Sequence, residues 1–132
     1  MKDAVSIKVD GLPFEHKVPE VVRVSYDIPT LFIDVKSFDM DEDKATIKFD
    51  RILGFRVLDE GDLLEFWNDQ RPKGWLWEVL ENGWFDFEKT RDEFLSACHE
   101  DELKEYLILG INDCVNVLTF NAPIISFTTS LK

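Results

Sequence analysis

The sequence predicts an α+β fold, a mainly antiparallel β-sheet with one or two short helices packed on it, in a single domain over residues 1–132. Three observations carry that reading. Apolar and polar residues alternate with a period of two through most of the chain, the signature of half-buried strands. Turn signals such as Asp10-Gly11, Asn82-Gly83 and Asn112-Asp113 punctuate those stretches at short intervals. Helix-start spacing, an Asp or Thr followed three residues later by Glu, occurs usefully at only two places.

Residues 5–9 form a short strand closed by Asp10-Gly11 and Pro13. Val22, Val24 and Tyr26 alternate with Arg23 and Ser25 until Asp27-Ile28-Pro29-Thr30 breaks the run. Leu31, Ile33 and Val35 then alternate with Phe32, Asp34 and Lys36, so the two runs are expected to pair antiparallel. After the charged turn Asp39-Met40-Asp41-Glu42-Asp43, the residues Ala45, Ile47 and Phe49 share one face, which resumes at Leu53, Phe55 and Val57. Arg51 interrupts that face and predicts a bend or β-bulge between Arg51 and Gly54. Together the two segments are expected to form the spine of the sheet.

Asp62 is a helix N-cap with Glu65 in the capping-box position, and Leu63, Phe66 and Trp67 share one face of the helix that follows. Past Gly74, Trp75, Trp77 and Val79 alternate with Leu76, Glu78 and Leu80 as another strand. Residues 84–87 are aromatic and acidic together, and Thr90 with Glu93 starts a second short helix running to Cys98. Leu107, Leu109 and Ile111 lie on one face of a strand over 105–111; residues 114–120 return, and a last strand covers 124–129.

At 132 residues and 45% hydrophobic content, with four Trp and eleven Phe, the chain can bury a core without disulfide or metal and is not a disordered segment. Its charge is lopsided: 27 acidic against 15 basic residues give a formal net charge of −12. Such a field repels nucleic acid and anionic membranes and speeds encounter with basic partners. Cys98 and Cys114 make no metal or disulfide pattern, residues 1–6 contain no apolar run, and no segment nears the roughly 20 apolar residues that span a bilayer. A reduced cytoplasm is the expected compartment.

No constellation defines a catalytic centre, a metal site or a cofactor. The acids at 39–43 resemble the opening of a calcium loop, but Lys44 and Asp50 stand where an EF-hand needs Gly and Glu. His16 and His99 are the only histidines, and nothing in the sequence joins either to a cysteine. Asp59 and Glu60 could form an acid/base pair, yet an acidic helix start already accounts for them. Phosphate-binding glycine loops are absent, and the basic residues form no cluster.

Aromatic residues beside acids are the remaining feature. Asp59, Glu60, Asp62 and Glu65 surround Trp67, while Trp84 and Phe85 adjoin Asp86 and Glu88. Most large apolar side chains fill the core; those left outside would anchor a protein interface, with the acids steering a basic partner towards it.

Between Phe49 and Phe127, the run Gly54-Phe55-Arg56-Val57-Leu58-Asp59-Glu60-Gly61-Asp62-Leu63-Leu64 is followed by Trp67, by Gly83-Trp84-Phe85 and by Glu105-Tyr106-Leu107-Ile108. It closes with Asn112-Asp113-Cys114-Val115-Asn116-Val117-Leu118. In overall character this resembles the small acidic bacterial immunity proteins that neutralise secreted polymorphic or contact-dependent toxins. The resemblance implies a compact, β-rich inhibitor that covers a basic toxin, commonly a nuclease. The expectation is therefore an acidic protein-binding module, not an enzyme, with steering by Asp59, Glu60, Asp62, Glu65, Asp86 and Glu88 and anchoring by Trp67, Trp84 and Phe85. Its rivals are a carboxylate-based small-molecule enzyme and a structural homodimer with a self-complementary strand or aromatic patch.

Overall fold

The computed structural model describes residues 5–9, 19–37, 44–59, 74–81, 83–90, 103–111 and 113–128. Among them are the strands β1 (Val5–Lys8), β2 (Glu20–Asp27), β3 (Thr30–Lys36), β4 (Lys44–Phe49), β5 (Ile52–Asp59) and β6 (Leu76–Glu81). The helix α1 (Trp84–Glu88) follows, then β7 (Lys104–Leu109), β8 (Asp113–Thr119) and β9 (Ile124–Thr128). Every pairing is antiparallel. The mainly antiparallel β character read from the sequence holds. The two helices expected from Asp62 and from Thr90 fall mostly on residues outside the described ones.

The strands divide into two sheets, a five-stranded one in the order β1-β6-β7-β8-β5 and a four-stranded one in the order β2-β3-β4-β9. The alternation of β3 and β4 explains the smaller sheet. Leu31, Ile33 and Val35 pair with Phe49, Ile47 and Ala45, and all six are buried on one face. That face meets Tyr106, Ile108, Val115 and Val117 of the larger sheet in one continuous core. Phe49 tilts against Tyr106 across the gap, with ring centroids 5.6 Å apart.

The expected spine is not one. The face shared by Ala45, Ile47 and Phe49 belongs to the smaller sheet, and the one carrying Phe55 and Val57 belongs to the larger. The chain crosses between sheets at Asp50 and Arg51, where Arg51 adopts a left-handed φ of 53°. A β-bulge between Ile52 and Gly54 follows, as the interruption at Arg51 predicts. Side chains and backbone clamp the crossing: Thr30 Oγ1 donates to Asp50 Oδ1 at 3.1 Å, and Thr119 Oγ1 donates to the Asp50 carbonyl at 2.9 Å. Among the described residues β5 is an edge strand of the larger sheet, and its Leu53 and Val57 are exposed.

In β7 and β8 the alternation disappears, because residues of both parities are buried from Glu105 to Leu109 and from Cys114 to Thr119. One parity faces the smaller sheet. The other, including Glu105, Asn116 and Leu118, lies on the opposite face, where Phe85, Leu103 and Leu118 form a second small core with Trp84 and Phe120 against it. No helix among the described residues is long and apolar enough to cross a membrane.

Candidate functional site

α1 is only five residues long, below the length at which a helix is stable by itself in water. What holds it is a carboxylate from another strand. The first amides of any helix lack intrahelical acceptors, and the N-cap here, Gly83, has no side chain to offer. Glu105 of β7 supplies both acceptors: Phe85 N–H donates to Oε1 at 2.7 Å and Trp84 N–H to Oε2 at 3.1 Å. Gly83 is glycine because a Cβ there would lie 2.6 Å from Val79 Cγ1 and 2.9 Å from both Glu105 oxygens.

Glu105 is only 2% exposed and does not stand alone. Asn116, diagonally across on β8 where it pairs with Leu107, donates Nδ2 to Oε2 at 3.2 Å, and Arg56 of β5 donates Nε to Asn116 Oδ1 at 3.1 Å. The guanidinium also lies over the Trp84 ring, 5.0 Å from its centroid, so it grips α1 from above. Burial pushes the Glu105 carboxyl up to about 7. The amides of Phe85 and Trp84, the Arg56 charge and the Asn116 amide all pull the other way, and desolvation outweighs them together. The carboxylate is thus a structural anchor whose oxygens are filled by protein donors.

The outer surface of α1 is where the side chains meet solvent. Phe85 points inward, buried with Leu103 and Leu118, while Phe87 is 71% exposed. Asp86 pairs with Lys89 at 2.8 Å, and Lys89 Nζ lies over the Phe85 ring at 4.8 Å. Glu88 accepts from the Trp84 indole N–H at 3.1 Å, and Thr90 Oγ1 closes the last turn by donating to the Phe87 carbonyl at 2.7 Å. Thr90 thus lies in the turn that closes this helix, and the helix expected to start from it runs into residues outside the described ones.

Of the residues expected at a partner surface, the structure brings Trp84, Asp86 and Glu88 together on α1, each half-buried. Phe85 is corrected: it is a core residue under the helix, because the five-residue turn directs it at β7 and β8 and directs Phe87 outward. Asp59 ends β5 opposite Asp113, at the far end of the strand from the bulge. Glu60, Asp62, Glu65 and Trp67 lie outside the described residues, as do His16, His99, Cys98 and the acidic run at 39–43. Cys114 is buried in the core and forms no disulfide among the described residues. Among the described residues no group of three or more His, Cys, Asp or Glu side chains is placed to hold a metal ion.

Sequence reasoning missed Glu105, Asn116, Arg56 and Phe87. A signal for the first was present, since Glu105 shares the parity of Leu107 and Leu109 and so sits on a buried row. An acid at such a position calls for partners. No protein-family model, curated protein or solved structure matches this chain.

Proposed function

We propose that this protein is an acidic binding module that recognises a basic protein partner through α1, most specifically an immunity protein acting in the cytoplasm on a cognate toxin such as a nuclease. One observation carries the reading. Phe87 stands 71% exposed on a turn of helix held in place by a buried carboxylate, on a chain of net charge −12. A large ring that costs little entropy to immobilise is the usual energetic centre of an interface, and a surrounding negative field speeds encounter with a basic partner. Asp86 and Glu88 flank the ring and contribute to that field. Trp84, on the same short helix, is held by Arg56 and Glu88.

Tagged wild-type protein and its Phe87→Ala variant, purified from the source cell, test this. The wild type is expected to retain a basic protein in stoichiometric amount and release it on raising salt. Phe87→Ala is expected to lose about 2 kcal/mol of binding, roughly 30-fold in affinity. Because the ring is exposed, folding stability should change by no more than about 0.5 kcal/mol. Equal retention by the two proteins would remove α1 from the interface, and retention of no basic protein would overturn the function.

A further inference from the structure

Glu105 takes N–H donors from three residues, and they differ in how firmly they are tied to the sheet. Asn116 lies inside the larger sheet, paired with Leu107 on one side and Arg56 on the other, and Arg56 Nε holds its Oδ1. Backbone and side chain together fix that donor. The other two donors, the Trp84 and Phe85 amides, belong to α1, which is part of neither sheet. Within α1, the Asp86–Lys89, Trp84–Glu88 and Thr90–Phe87 contacts all join residues of the segment 84–90, so they travel with the helix if it lifts. Its hold on the sheet includes the two Glu105 bonds, the Phe85 ring against Leu103 and Leu118, and the Trp84 ring under Arg56. Among the described residues, the other ionisable groups around Glu105 are Asp86, Glu88 and Lys89 of α1, Glu81 on the same row of β6, Lys104 next to it on β7 and Cys114 on the facing row of β8.

We propose that α1 is a pH-dependent cover over Glu105, lifting from the sheet as a unit when the carboxyl loses its proton and admitting water to the charge. A protonated carboxyl keeps acceptor capacity, so neutral Glu105 leaves α1 bonded. The ionised group needs more solvation than three N–H donors provide, with the Arg56 guanidinium held on Asn116. Burial accordingly raises Glu105 from 4.5 to about 7 against all of these groups. With α1 lifted, both oxygens reach water and the ordinary value returns. The covered state therefore binds the proton more tightly than the open one, and opening becomes easier as pH rises from about 4.5 to 7. The limiting change in the opening constant is about 300-fold, ten raised to the difference of those two values. Phe87 rides on α1, so a partner bound through it would be held less tightly as pH rises. That consequence rests on the reading of α1 as the partner surface, whereas the opening itself does not.

Hydrogen exchange of the full chain with no partner present tests the cover, read at the Trp84, Phe85 and Ile47 amides and corrected for the pH dependence of exchange in an unfolded chain. In the wild type the opening constant at Trp84 and Phe85 is expected to rise roughly 50-fold between about pH 5 and pH 8. In Glu105→Gln, which has no proton to lose, it should stay level. Low urea separates this motion from global unfolding: up to about 1 M, exchange at Trp84 and Phe85 should barely change while Ile47 exchange accelerates. A wild-type opening constant that is level with pH overturns the proposal, as does a Glu105→Gln protein that follows the wild-type rise. Equal urea dependence at all three amides would also overturn it, since α1 would then open only when the whole chain unfolds. That comparison uses the wild type alone and stands even if Glu105→Gln fails to fold. Because no partner enters, a failure here is distinct from a failure of the binding reading.

Discussion

Replacing Glu105 by glutamine is expected to remove a fall in stability that the wild type shows between acid and neutral pH. In the folded chain Glu105 keeps its proton up to about pH 7, whereas the ordinary value is 4.5. Between those two points the folded state binds more protons than the unfolded state, so stability drops as pH rises. The contribution is fully present below about pH 4.5 and is lost as pH climbs through 7. Over that span it amounts to about 3 kcal/mol, at about 1.4 kcal/mol per pH unit. Glutamine has no proton to lose. Urea unfolding of both proteins from pH 4 to pH 8 should therefore show the wild type losing about 3 kcal/mol relative to Glu105→Gln. Parallel curves would mean that the amides of Trp84 and Phe85, with Arg56 beyond Asn116, keep the carboxylate ionised despite its burial.

Phe49→Ala is expected to cost about 3–5 kcal/mol, the range for deleting a buried aromatic ring from a packed interior. Phe49 ends β4 with no exposure and is one of the largest side chains filling the space between the sheets. Its ring lies against Tyr106 of the opposite sheet, so truncation removes contacts from both layers at once. A shift in the urea midpoint with unchanged slope would report the loss as stability alone. A cost under about 1 kcal/mol would contradict the face-to-face packing of the two sheets.

The strands were legible in the sequence where one face is buried and the other is not. β3 and β4 show this best: Leu31, Ile33, Val35, Ala45, Ile47 and Phe49 mark their inner row without ambiguity. Periodicity assigns residues to a face but says nothing about which sheet lies across from it. The run from Ala45 to Val57 therefore looked like one spine, although the chain changes sheets at Arg51. In β7 and β8 both faces are covered, so no alternation distinguishes the row of Tyr106 from the row of Glu105. α1 escaped because five residues are too few to show a helical period. It exists through a tertiary contact, the Glu105 carboxylate, that joins positions twenty residues apart. The same contact decides which aromatic is seen by a partner, turning Phe85 inward and Phe87 outward.

The central claim is that a buried carboxylate on β7 holds α1 in the position that displays Phe87. Hydrogen exchange at the Trp84 and Phe85 amides tests it most directly, comparing the wild type with Glu105→Leu, which keeps the volume and removes both acceptors. In the wild type both amides should be protected, and in the variant they should exchange at least about tenfold faster, the loss of more than 1 kcal/mol of local protection. The Ile47 amide in the other sheet should report only the change in global stability. If Trp84 and Phe85 keep their protection relative to Ile47 in Glu105→Leu, something other than the carboxylate holds the helix, and the claim fails.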